Sequence, residues 1–191
     1  MPANLTTAPT QEPVTLVAAK AYSRYDDPDQ DDTFAVLIRA AREYAEAYQH
    51  RVFITQTWTL TLNAWADPII LPNPPLQSVT TVKYLDVDGV QQTVASSVYT
   101  VSTVHEPGRI TLAYGQVWPT LRGVVDQIEI EYIAGYGAGP DNVPRATRMG
   151  IKQLVAHWFC NRTPVVTGAT AAAVPLSVDA MLSLERLYGD L

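Results

Sequence analysis

The chain has 191 residues, is 47% hydrophobic and carries a formal charge of −6, enough to bury a core as one domain or as two small interlocked lobes. A pI near 4.9 argues against wrapping duplex DNA, which needs clustered Lys and Arg to displace counterions. Cys160 is the sole cysteine, which excludes an intramolecular disulfide and suits synthesis in a reducing cytoplasm. The opening MPANLTTAPTQEP lacks the basic and apolar regions of a signal peptide, and no run is long and apolar enough for a membrane helix.

Residues 1–13 are polar and proline-punctuated and read as an extended tail. Residues 14–50 read as a helix hairpin. Thr15 is placed to cap LVAAKAYSR, and after the acidic run Asp26, Asp27, Asp29, Asp31, Asp32 a second helix follows. In it Phe34, Leu37, Ile38, Ala41, Tyr44, Ala45 and Tyr48 recur at helical spacing, with Arg39, Arg42, Glu43 and Glu46 assigned to the other side.

From residue 52 the period changes to two. VFITQTWTLTLNAW sets Thr55, Thr57, Thr59 and Thr61 against Ile54, Gln56, Trp58, Leu60 and Leu62. After the proline-stiff LPNPPLQSV, two strands flank Val87-Asp88-Gly89, where Asp-Gly supplies the positive φ angles of a tight hairpin. SVYTVST and GRITLAY, with Pro107-Gly108 as their turn, and VVDQIEIEYIAG bring the expected strands to six. The spacing predicts an inserted, mainly antiparallel sandwich or barrel-like β domain over 51–135. Residues 136–162 supply a loop and a core helix opened by Pro144, with Thr147, Ile151, Leu154, Val155 and Trp158 as its stripe and Pro164 as its stop. Residues 163–191 read as a mobile arm and a last helix, VDAMLSLERLY, capped by Ser177. The expected fold class is α+β: an N-terminal helix hairpin and C-terminal helices packed together, with the β domain inserted between them.

No catalytic, cofactor or metal constellation outweighs its structural explanation. Gly135, Gly137 and Gly139 lack the Lys and Ser/Thr of a P-loop and are followed by Pro140 and Asp141, so they read as a turn into the next helix. Asp27, Asp29 and Asp31 begin a calcium-loop spacing, but Asp32 stands where that loop needs glycine and Ile38 where it needs a bidentate glutamate. His157 and Cys160 lie three apart as a base and a thiol would, yet a cysteine beside Trp158 and Phe159 reads as buried packing. His50 and His105 have no ligand-spaced neighbours. Glu129 and Glu131, alternating with Gln127, read as a solvated or subunit-facing strand face. Tyr22, Tyr25, Tyr44 and Tyr48 lack the basic groove of a single-strand binder, so they read as packing between helices or against a neighbouring subunit.

The succession EPVTLVAAK, acidic turn, AVLIRAAREYAEAY, ITQTWTLTLNAW, LPNPPLQSVTTVKYLDVDG, PGRITLAYGQVWP, IEYIAGYG and VPRATRMGIKQLVAHWF resembles the head-tail connector (adaptor, or head-completion) family of long-tailed bacteriophages and gene transfer agents. The resemblance covers residues 12–190. It implies a structural virion protein without enzymatic activity or cofactor. Such a protein forms a homo-oligomeric ring, typically of twelve copies, beneath the portal protein, extends the DNA channel and meets the stopper or tail-completion protein. DNA is then only a passing content of the channel, which suits an acidic chain. The family's C-terminal segment commonly reaches the portal, which makes Met181, Leu184, Leu187 and Tyr188 candidate portal contacts; the alternative is that this amphipathic helix packs on its own subunit. On that expectation, truncation after Thr163 leaves the fold intact and abolishes portal binding. Another phage ring protein, a stopper or tail terminator, is the first alternative; a small-ligand-binding β domain using the 135–139 loop is the second.

Overall fold

The structure is a computed structural model and describes residues 3–161 and 176–188. In chain order its elements are β1 (Ala3–Thr7), α1 (Leu16–Tyr22), α2 (Asp31–Gln49), β2 (Gln56–Leu62), β3 (Ile69–Leu71), β4 (Leu76–Leu85), β5 (Gln91–Thr93), β6 (Tyr99–Ser102), β7 (Gly108–Leu112), β8 (Ile128–Ala134), α3 (Arg145–Cys160) and α4 (Leu176–Ser183). They form two compact units. The β unit comprises the described residues up to Pro9 together with Thr55–Tyr136, and the helical unit comprises Thr10–Ile54 with the described residues from Gly137 onward.

In the β unit a five-stranded sheet runs β1-β2-β8-β4-β5 and a three-stranded sheet runs β3-β7-β6, with antiparallel pairing throughout. The alternation read from the sequence sets the central ladder. Along β8, Ile128, Ile130, Tyr132 and Ala134 are buried while Glu129 is exposed, and Tyr132 lies opposite Trp58 of β2. Leu60, Leu62, Ile69, Leu71, Val82 and Ile110 complete the core. The Tyr132 hydroxyl donates to Pro72 O at 2.9 Å, and burial pushes its phenol upward. Gly108 shows why the two sheets can approach: a Cβ there would stand 2.6 Å from Leu76 Cβ.

Several expectations for this unit change. Strands β1 and β3 raise the number from the six expected to eight among the described residues. Residues 3–7 pair with β2, with the Thr6 and Thr59 hydroxyls 2.7 Å apart, so this part of the polar tail is an edge strand. Pro107-Gly108 is not the turn between β6 and β7, because Gly108 already belongs to β7 and pairs with Leu71. In the β4–β5 hairpin only Gly89, at φ +80°, is left-handed, and Asp88 is not. The turn is tied by Asp86 instead, whose carboxylate accepts from Asp88 N at 3.0 Å and Val90 N at 2.9 Å. Gln127 does not share the solvated face of Glu129: it is buried and bonded to the loop before β8.

In the helical unit Thr15 Oγ1 accepts from Ala18 N at 3.2 Å and caps α1 as expected. The stripe of α2 buries Phe34, Ile38, Ala41 and Ala45, and that of α3 buries Thr147, Ile151, Leu154 and Val155. Phe34 meets Phe159 at 4.4 Å and Tyr25 meets Phe159 at 5.2 Å, so Tyr25 is helix packing.

Arg42 and Glu46 do not lie on an open side of α2. Arg42 is buried, with Nε 2.8 Å from Glu12 and NH1 2.7 Å from Glu46. Glu46 also accepts from Phe53 N at 2.9 Å. Burial works against the charge of Arg42, and Glu46 and Glu12 outweigh it, so the guanidinium is held above its ordinary value. This network fastens the segment before α1 to Arg42 and the segment after α2 to Glu46, and the Arg42–Glu46 pair joins them.

Candidate assembly surfaces

The glycine loop and the acidic turn weighed as chemistry are used by the fold. Gly135, at φ +121°, donates its N–H to Pro75 O at 2.9 Å, and Asn142 Oδ1 accepts from Gly139 N at 3.2 Å. The glycine loop therefore leads through a 3-10 turn, Pro140–Asn142, to Pro144 at the N-cap of α3. In the acidic turn the Asp27 side chain accepts from Asp29 N, Asp31 pairs with Lys20, and Tyr25 donates to Asp29. Among the described residues no group of three or more His, Cys, Asp or Glu side chains is placed to hold a metal. Cys160 is exposed, contrary to the buried packing expected of it, and the ring of His157 lies 3.3 Å from the Asn161 amide. α3 ends at Cys160; its expected stop, Pro164, and the 163–175 arm lie outside the described residues. A groove of about 330 Å³ lined by Gln11, Glu12, Val14, Ile38, Arg39 and Pro140 is largely apolar, and its Glu12 is already engaged by Arg42.

What remains on the helical unit is a surface built for packing. α4 begins at Leu176, so Ser177 lies inside its first turn and does not precede it, and it ends at Ser183, short of the expected Tyr188. Val178 and Leu182 are fully buried, and Leu182 presses on α3 where Gly150 leaves room: a Cβ on Gly150 would lie 2.9 Å from Leu182 Cδ2. Gln49 Nε2 donates to Leu182 O at 2.8 Å, Leu187 N donates to Gln49 O at 3.1 Å, and Arg51 Nε donates to Glu185 O at 2.7 Å. The segment thus closes the core of its own subunit, and truncation after Thr163 would open that core.

Among the four portal-contact candidates, Met181 lies in α4, while Leu184, Leu187 and Tyr188 follow it. Leu184 and Tyr188 are exposed; Met181 and Leu187 are half-buried. Arg186 lies 4.6 Å from the Tyr48 ring centroid and 5.4 Å from that of Tyr188. Tyr48 stacks at 6.4 Å on Tyr44, which receives the edge of Trp158 at 6.1 Å. The result is a layered strip of Trp158, Tyr44, Tyr48, Arg186 and Tyr188, rich in the residue types that dominate protein interfaces. Sequence reading missed Arg186, because its ring partner Tyr48 is remote in the chain.

A surface of this kind suits assembly. The profile of one family, described as "Head completion protein", matches residues 14–177. The chain belongs to the head completion protein family. This head completion protein also resembles chains of solved gene transfer agent (GTA) particles. One, from the neck of an empty GTA particle computed with C6 symmetry, superposes with a TM-score of 0.81 at 23% identity, covering 100% of this chain and 98% of that one. A second, from the virion of a native particle, gives 0.80 at 24%, with the same coverage. A third, from the neck of a native particle computed with C12 symmetry, gives 0.75 at 26%, again over 100% and 98%. The first two, under a quarter identical, are likenesses of fold. A search of curated proteins finds no match.

Proposed function

We propose that this head completion protein is a structural component of the virion neck, a connector ring of twelve copies under the portal protein that extends the DNA channel and joins the head to the stopper or tail. The observation that carries the reading is the full-length likeness, at 26% identity, to a chain of a native GTA neck computed with C12 symmetry. A heterologous contact that closes by rotation makes such a ring. The charge of −6 supports a passage through which DNA slides without being held.

Met181, Leu184, Leu187 and Tyr188 are the portal contacts in this proposal. Leu184 and Tyr188 supply exposed apolar area beside Arg186, while Val178 and Leu182 anchor the segment from below. The test is electron microscopy of particles from a producer with the gene inactivated. Heads and free tails that fail to join are expected; intact tailed particles would overturn the connector reading. The combined change Leu184→Ser and Tyr188→Ser, which spares the buried anchors, then tests the contact: purified protein should fold normally and lose binding to purified portal at least tenfold. Undiminished binding would refute the assignment. A stopper or tail-terminator role predicts instead that the ring joins the tail side without the portal.

A further inference from the structure

Two loops close one end of the five-stranded sheet, the β4–β5 turn at 86–90 and the 121–127 segment before β8. Four valines there face solvent: Val87 at 60%, Val90 at 54%, Val124 at 42% and Val125 at 75% exposure. Turns ordinarily place polar residues outward, and several exposed apolar side chains gathered at one place mark an interaction site.

The loops that carry them are held firmly. Gln127 Oε1 accepts from Gly123 N at 2.8 Å and Val124 N at 3.2 Å, while its amide donates to Asn63 O at 2.5 Å. Asp126 N donates to Asn63 Oδ1 at 2.8 Å. The two loops are tied together by Leu85 N to Gln127 O at 2.9 Å and Arg122 N to Leu85 O at 3.3 Å. Asp126 is held at φ +55°, a left-handed conformation that costs a non-glycine residue energy and that surroundings must enforce. Valine has one free side-chain torsion, so a rigid display of valines loses little entropy on docking.

The rim around the valines is acidic. Asp88, Asp126 and Glu129 are exposed there beside the half-buried Asp86, with Arg122 next to Gly89 and Lys83 across the ladder from Glu129 as the cations, so acidic groups still predominate. Such a rim repels another acidic surface and complements an apolar patch edged by Lys and Arg. A second copy of this chain, at −6, is the poorer match.

We propose that this valine-bearing end of the β unit is the docking surface for the tail-side neighbour in the neck, a protein presenting an apolar patch with a basic rim. The inference rests on the connector reading and on the assignment of the portal contact to the helical unit. The experiment uses producers carrying Val87→Ser with Val125→Ser, or Asp88→Lys with Asp126→Lys, beside the inactivated gene and a control, Val104→Ser, at an exposed valine of the β6–β7 loop. Both double variants should give heads that carry the ring but no tail, with joined particles reduced at least tenfold, while the control joins normally. Joining at the unaltered frequency by both variants overturns the inference and leaves the connector reading intact. Heads that lack the ring, with purified variant protein folded, also overturn it, because the surface is then a contact between copies or with the portal. Should the serine variant fail to fold, the lysine variant decides the question by the same outcomes. Tailed particles from the inactivated gene would reject the connector reading itself.

Discussion

The contact between Gly150 and Leu182 is a size-matched pair, and reversing the sizes measures how much α4 contributes to the helical unit. Leu182 is fully buried, so Leu182→Ala removes buried carbon and leaves a cavity, at a cost of about 2–5 kcal/mol. Gly150→Ala alone puts a methyl group 2.9 Å from Leu182 Cδ2 and 3.2 Å from Cγ. That overpacking costs about 1–3 kcal/mol, offset by about 1 kcal/mol of helix propensity. In the double variant Cγ and Cδ2 are gone, and the next neighbour of the new methyl is Met181 Cβ at 3.5 Å, an ordinary contact. The clash disappears, the propensity gain remains and part of the cavity is filled. The double variant should therefore be more stable than the sum of the single changes by at least about 1 kcal/mol. Urea unfolding followed by far-ultraviolet circular dichroism, on all four proteins, reads the coupling directly. Additive free energies would mean that α4 does not pack on α3 through this pair, and would remove the argument that the C-terminal segment closes its own subunit.

Arg42→Met should cost about 3–5 kcal/mol in chemical denaturation, because Glu12 and Glu46 lose the buried cation that faces them; a loss below about 1 kcal/mol would mean these carboxylates are solvated. Gly108→Ala should lower stability by about 1–3 kcal/mol through the clash with Leu76, and a neutral result would show that the sheets have room to separate. The Asp86 carboxyl is held below its ordinary value by Gln92, Val90, Asp88 and Gly89. A depressed folded value means a contribution present above the unfolded pKa and lost as pH falls through the folded one. Protection factors of the β4–β5 turn amides, taken relative to intrinsic exchange at each pH, should fall on acidification below the usual carboxylate range, and Asp86→Asn should flatten that dependence; an unchanged profile would refute the role of Asp86.

The helices were legible because their cores are set by local periodicity. Phe34, Ile38, Ala41 and Ala45 on α2 and Ile151, Leu154 and Val155 on α3 are buried where a 3.6-residue period places them. Arg42 was misplaced because the same period assigns charges outward, and its partner Glu12 lies 30 residues away. β1 escaped notice for a similar reason: Ala3–Thr7 is a strand only because β2 lies beside it, and polar residues suit an exposed edge. Asp88 and Gly89 signalled a turn correctly, but the dipeptide does not specify which turn; the Asp86 carboxylate selects it by holding two backbone amides. At the C-terminus the composition announced an apolar segment but not the division between Val178 and Leu182, turned inward, and Leu184 and Tyr188, turned outward. That division depends on the hydrogen bonds of Gln49 and Arg51, which no spacing within the segment encodes.

The bridge between Ile54 and Gly137 is parallel. Parallel neighbours cannot be joined by a tight turn and need a crossover of about a dozen residues or more. Thr55–Tyr136 is that crossover. For the helical unit, this part of the β unit is an overgrown connection whose departure and return points are pinned side by side. On the proposed docking surfaces, its loops and rim charges can diversify in step with the tail-side neighbour while the helical scaffold stays matched to the portal. A connector of the kind proposed would gain from that arrangement, because a change of specificity at one coupling need not retune the other.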